Sequence, residues 1–266
     1  MSDSRPVIII TGASRGIGLA AVEAALQRGA RVFGVSRTPL EQLAAVQQLV
    51  AAHPDSLCYR ATDLSTPGTS TAIVQECLER FGADSLAGVV HNAAVLEPLA
   101  RVADSDLSAW RTHIEVNLMS AVELAKASLP ALRLRQGAVG QRGKFIVVSS
   151  GAATAAYEGW AAYCVSKAAV NMFVQALGKE EPLVTSISLR PGVVDTEMQR
   201  LLREKGADAM DGAQHSRFIQ LKEEGGLLDP SQPGSAIACL ALYAPHELSG
   251  QFINWNDARV PIAAPA

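Results

Sequence analysis

Tyr163 and Lys167 stand four residues apart in the run Tyr163-Cys164-Val165-Ser166-Lys167. If that run is helical, the phenol and the ammonium share one face and come close together. A cation beside a phenol lowers its pKa from the usual value of about 10. The tyrosine could then give or take a proton near neutral pH, as a general acid or base must. A second cluster is the turn Thr11-Gly12-Ala13-Ser14-Arg15-Gly16-Ile17-Gly18, which follows an apolar run and opens a helical one. Gly12, Gly16 and Gly18 would let a pyrophosphate approach the backbone closely. The helix behind them aims free N–H groups and a positive dipole end at the anion. The spacing is G-x-x-x-G-x-G, not the G-x-G-x-x-G of the usual dinucleotide fingerprint.

The next strand ends in Val35-Ser36-Arg37-Thr38. NAD-binding folds place an acid there to hold the ribose 2′-hydroxyl. This chain has none, and Arg37 and Arg15 would instead face a 2′-phosphate, which suits the planar guanidinium fork. NADP(H) is therefore favoured over NAD(H). Asp63, in Thr62-Asp63-Leu64, has two readings: a partner for the adenine amino group, or a cap for the segment that follows.

These residues need a scaffold that brings strand ends together. Strand-like runs at 6–11, 31–36, 57–62, 86–91, 144–149 and 184–189 alternate with helical patterns at 16–27, 40–52, 69–81, about 107–134 and 163–180, and 251–255 reads as a short last strand. The alternation predicts an α/β chain: a Rossmann-type, doubly wound parallel sheet with helices on both faces. Such a sheet binds ligands at the carboxyl ends of its strands, where the candidate residues fall. No linker divides residues 1–266, so one domain is expected. Residues 195–229 are polar and helix-prone but poorly periodic, and Gly206, Gly212, Gly225 and Gly226 would let them act as a mobile lid.

Composition narrows the partners. The chain has 266 residues, is 48% hydrophobic and carries a net charge of -3. Without a basic surplus, nucleic-acid binding is not expected. No apolar run reaches the roughly 18 residues of a membrane span. Residues 1–6 are too short and polar for a signal peptide, which points to the cytoplasm. Cys58, Cys77, Cys164 and Cys239 are widely spaced, so reduced thiols are expected and no metal site. Cys164 adjoins Tyr163, with packing as its default role.

Taken together, the glycine turn, His91-Asn92-Ala93-Ala94, Asn117, Ser149-Ser150, Tyr163/Lys167 and Pro191-Gly192 with Thr196 resemble the short-chain dehydrogenase/reductase family over almost the whole chain. The resemblance implies that Ser150, with Ser149 the weaker candidate, orients a substrate carbonyl. It implies that Tyr163 donates the proton as hydride arrives from C4 of NADPH. Lys167 would bond the nicotinamide ribose and tune Tyr163, and Asn117 would hold a water that passes protons to Lys167. Pro191, Gly192, Val194 and Thr196 would grip the carboxamide. Ser14, Ile17, Ser36, Leu64, Asn92 and Ala93 complete the implied cofactor wall. The chain departs from the family's Asn-Asn-Ala-Gly at His91 and Ala94; His91 reads as structural, and the Ala94 methyl adds bulk beside the cofactor. Family members pair through the helices at 107–134 and 163–180, so a homodimer or homotetramer is implied.

Two further stretches, 192–199 and 250–257, are similar to segments of sepiapterin reductases and of fungal and bacillar benzil reductases. By position, Asp257 matches the acid that holds a pterin edge, or it is an exposed C-terminal aspartate. Tyr157, Trp160, Met198 and Met210 would wall an apolar pocket. The reaction implied is NADPH-dependent reduction of a ketone or α-dicarbonyl to the hydroxy compound. Two alternatives stay open: another carbonyl class, such as a 3-oxoacyl thioester or a sugar-derived ketone, and a non-catalytic NADP(H) sensor.

Overall fold

Continuous apolar strands can be buried on both faces only if helices cover each face. The computed structural model, which describes residues 4–135 and 142–261, is built that way. The first three residues of the N-terminal reading lie outside the described residues. The strands are β1 (Val7–Thr11), β2 (Arg31–Ser36), β3 (Leu57–Ala61), β4 (Leu86–His91), β5 (Gly143–Val148), β6 (Val184–Arg190) and β7 (Phe252–Asn254). They form one sheet in the order β3-β2-β1-β4-β5-β6-β7, and every pairing is parallel. The winding direction reverses between β1 and β4, which opens a crevice at their carboxyl ends.

Helices α1 (Gly16–Gln27) and α9 (Ser231–Tyr243) cover one face, where Ile8 and Ile10 meet Val22, Ala25, Ile237 and Ala241. On the other face α3 (Thr69–Phe81), α5 (Ser120–Leu134) and α6 (Ala161–Glu180) bury Val7 and Ile9 against Ile73, Leu124 and Val174. The strict alternation of β1 side chains between two cores explains why the strand reads as an unbroken apolar run. Helix α2 (Ala44–Ala52) follows a short 3-10 turn at Leu40–Gln42 rather than running unbroken over 40–52. The 107–134 stretch is continuous but not uniform: α4 (Leu107–Ile114) passes through a π turn (Glu115–Met119) into α5.

Residues 195–229 carry two helices, α7 (Glu197–Lys205) and α8 (Gly212–Glu223). A parallel bridge between Val194 and Leu228 joins the two ends of this excursion. Helix α9 has no counterpart in the sequence reading. Pro233 and Gly234 occupy its first turn, where a missing N–H costs nothing, and burial around most of its surface erases the amphipathic period. Among the described residues, no helix is long and apolar enough to cross a membrane.

Candidate active site

The glycine turn is shaped by contact at the crevice. A Cβ on Gly18 would lie 2.1 Å from the Gly12 carbonyl oxygen, and one on Gly12 would lie 2.7 Å from Asn92 Nδ2. The Asn92 amide donates to the carbonyls of Thr11 (3.0 Å) and Gly12 (3.3 Å), pinning the turn to the end of β4. Thr11 Oγ1 accepts the backbone N–H groups of Asn92 and Ala93, both at 3.0 Å. Helix α1 starts immediately behind this turn with no side-chain cap, so its first N–H groups face the crevice. The cradle thus fits a pyrophosphate: the backbone is bare where a Cβ would clash, and its donors point outward.

A cleft of about 950 Å³ runs from this turn to Tyr163. It brings together Gly12, Ser14, Arg15, Gly16, Ile17, Gly18, Ser36, Arg37, Asp63, Leu64, Asn92 and Ala93, with Thr196 against Gly16. Ser150, Trp160, Tyr163, Lys167, Pro191, Gly192, Val194 and Met198 line it as well. Arg37 is exposed and makes no hydrogen bond or ion pair among the described residues, while Arg15 lies near the Glu197 carboxylate. Asp63 Oδ1 accepts the Ser65 N–H at 2.9 Å, so it does cap the following turn, and it lines the cleft as well. Tyr59, which the sequence reading passed over, hydrogen-bonds Ser36 Oγ and donates to the Thr38 carbonyl at 2.8 Å. It braces the loop that carries Arg37; from sequence it is only one of the alternating residues of a strand.

At the far end, Tyr163 sits in the first turn of α6 and lines the cleft together with Ser150, which follows β5. Lys167, one turn on, donates from Nζ to the Val148 carbonyl at 2.8 Å. Two of its three hydrogens remain for other acceptors. Both residues are buried, and burial decides their acidity. It pushes Tyr163 up to about 12, against the opposing pull of the Ser150 hydroxyl. It brings Lys167 down to about 8. The expected lowering of the phenol by Lys167 is therefore corrected: Nζ lies 5.5 Å from the ring centroid and is bonded to the strand, and desolvation prevails. Tyr163 is held as the proton-bearing acid.

Asn117 lies in the π turn and does not line the cleft. Its Oδ1 accepts the Val95 N–H (2.8 Å), and its Nδ2 donates to the Val95 carbonyl (2.9 Å). The side chain is thus committed to the loop after β4. His91 is fully buried behind the cleft, 2.7 Å from Ser120 Oγ, which itself donates to the Val116 carbonyl. Burial, aided by the Lys167 charge, drops its pKa to about 3. Ala94 lines the cleft.

The substrate-side expectations divide. Trp160 and Met198 line the cleft. Tyr157 and Met210 lie in the packed cluster behind it, with Tyr157 stacked on Trp160 at 4.8 Å and Trp160 on Phe218 of α8 at 5.4 Å. Asp257 is not among the cleft residues. Its two oxygens grip the Arg259 guanidinium at 2.9 and 2.8 Å, which holds its carboxyl down at about 2.

The whole arrangement, a phosphate cradle at one end of a cleft and a hydroxyl pair above a buried lysine at the other, has a match. The short chain dehydrogenase family profile covers residues 6–207. The chain belongs to the short chain dehydrogenase family. Members of the family are oxidoreductases that use nicotinamide cofactors. This short chain dehydrogenase is 38% identical to a benzil reductase ((S)-benzoin forming) of Saccharomyces cerevisiae, over 96% of this chain and 97% of that one. It is 33% identical to sepiapterin reductase of Mus musculus, over 84% and 86% of the two chains. The crystal structure of the KRED1-Pglu enzyme superposes with a TM-score of 0.85 at 38% identity, covering 93% of this chain and 99% of that one.

Proposed function

We propose that this oxidoreductase uses NADPH to reduce a ketone or α-dicarbonyl to the hydroxy compound. The observation that carries the reading is the Ser150–Tyr163 hydroxyl pair facing the cleft, with Tyr163 kept protonated. Bound NADPH would supply the hydride. Ser150 and Tyr163 would both donate to the substrate oxygen, polarising the carbonyl and leaving no need for a metal. Tyr163 then passes its proton to that oxygen. Lys167, charged below about 8, uses its spare hydrogens to bond the ribose and stabilises the phenolate left behind. A water held by the backbone of the π turn at Asn117, whose side chain is already bonded to Val95, would resupply the proton.

The uncommitted Arg37, with Arg15, supports a 2′-phosphate and hence NADP(H). Pro191, Gly192, Val194 and Thr196 would hold the carboxamide, and Asp63 the adenine edge. An apolar aromatic dicarbonyl suits the Trp160 and Met198 walls, and the relation to a benzil reductase points the same way. A pterin has weaker support, because Asp257 is occupied by Arg259 and is not among the residues that line the cleft. We place the enzyme in the cytoplasm, which suits its free thiols, and assign it as a homodimer or homotetramer.

NADPH oxidation against benzil, 1-phenyl-1,2-propanedione, sepiapterin and an acetoacetyl thioester, each repeated with NADH, tests the reading. Turnover of the dicarbonyls with NADPH and little with NADH is expected. Activity on the thioester alone would replace the substrate class. Tight NADPH binding without turnover of any of the four would favour the sensor.

A further inference from the structure

His113 lies on α4, one turn before the π turn, and is completely buried. Its Nδ1 is 2.7 Å from the backbone carbonyl oxygen of Glu97. A carbonyl can only accept, so the ring carries its proton on Nδ1 and keeps a lone pair on Nε2. Nε2 in turn is 2.8 Å from Asn117 Nδ2 and 3.1 Å from Ser166 Oγ. Ser166 spends its hydrogen on the Tyr163 carbonyl at 2.9 Å, which leaves the Asn117 amide as the donor to His113. The imidazole also meets the Tyr163 ring edge-on, 6.1 Å between centroids and 83° between planes. One side chain therefore touches the cleft wall at Glu97, the π turn at Asn117 and the helix that carries Tyr163 and Lys167.

We propose that His113 is a positioning residue for the proton donor: as a neutral Nδ1–H imidazole it fixes Asn117 and backs the Tyr163 ring. The inference rests on the reading of Tyr163 as the acid. A second proton, on Nε2, would set a ring N–H against the Asn117 N–H₂; Ser166 Oγ at 3.1 Å would be the acceptor left to it, and the Asn117 contact would be lost. Burial holds the ring below its ordinary pKa of 6.5, and the Lys167 ammonium adds to that. Of the titratable groups around it, Lys167 and Tyr163 face it from α6; Glu97 offers only its carbonyl, its carboxylate being paired with Lys205 on α7 at 3.2 Å.

The test combines spectroscopy on the wild-type chain with kinetics. Nitrogen-15 NMR of labelled histidine should show His113 as the Nδ1–H tautomer, still uncharged at pH 6.5, with and without NADPH. His113→Phe keeps a ring but removes the lone pair. It should lower kcat by about 10- to 100-fold, the cost of a small misplacement of a reacting group, while NADPH affinity measured by fluorescence holds. His113→Gln, which restores an acceptor, should recover part of the loss. An Nε2–H tautomer, a ring charged at pH 6.5, or a His113→Phe enzyme with wild-type kcat and only a lower melting temperature would each overturn the proposal. Should His113→Phe fail to fold, the tautomer spectrum decides. A Tyr163→Phe enzyme that still turns over would refute the acid assignment instead, and the spectrum would report on His113 regardless.

Discussion

Burial disfavours the Tyr163 phenolate, so the residue carries its proton into the reaction. Desolvation outweighs the influence of Lys167, whose Nζ is tied to the Val148 carbonyl. Removing the hydroxyl deletes both the proton and one of the two donors to the substrate oxygen. Tyr163→Phe should lower kcat by about 10²- to 10⁴-fold, and fluorescence titration should show NADPH bound as tightly as before. Arg37 has the opposite profile, being exposed and without a hydrogen bond or ion pair among the described residues. If it holds the 2′-phosphate through charge-assisted hydrogen bonds, Arg37→Ala should raise the KM for NADPH by roughly tenfold or more. The KM for NADH should stay within about twofold, since that cofactor has no group there for Arg37 to hold. Both substitutions are read in one steady-state experiment with the two cofactors.

Among the elements, the 195–229 excursion is held at its ends and along one packed face. Its ends meet at the Val194–Leu228 bridge, Lys222 pairs with Asp195 at 2.6 Å, and Phe218 docks α8 onto Trp160. The ion pair is exposed and contributes little, so the aromatic contact carries the docking. Truncating a buried Phe costs about 3–5 kcal/mol. In Phe218→Ala that loss should fall on the excursion rather than on the sheet: limited proteolysis within 206–226 should quicken severalfold while the main melting transition moves little. Saturating NADPH and substrate should slow the wild-type cleavage if the excursion closes over them. Equal rates with and without ligand would show that it does not act as a lid.

At the scale of the whole molecule, two buried histidines tie stability to pH. His91, with a folded pKa of about 3, is neutral in the native chain and titrates at its ordinary 6.5 once unfolded. Between those values the unfolded chain binds more protons, so stability falls as pH drops from 6.5 towards 3. The slope approaches about 1.4 kcal/mol per pH unit for one such group. His113 shifts in the same direction. Melting curves should therefore decline below pH 6.5, and His91→Asn should flatten the decline. The molecule also leaves Leu107, Met119, Val165 and Met172 between 44% and 66% exposed on α4, the π turn and α6. Apolar side chains on two neighbouring helices suit a self-complementary contact. Light scattering at micromolar concentration should return the mass of a dimer or tetramer; a monomer mass would remove that assignment.

Much of this protein is written in local patterns. The strand–helix alternation, the bounds of α1 and α3, the glycine turn and the Tyr163/Lys167 spacing all follow from short-range sterics and periodicity, which a sequence displays directly. Other features depend on residues far apart in the chain. Helix α9 is buried all round and so carries no amphipathic stripe. Asp257 is taken by Arg259, and Tyr157 and Met210 fall behind the cleft rather than on it. The acidity of Tyr163 is reversed from the sequence expectation, because proximity to a lysine is visible in a spacing while burial is not. His113 meets Glu97, Asn117 and Ser166 only after α4, the β4 loop and α6 have packed, since a buried hydrogen bond is defined by what the fold brings to each donor and acceptor.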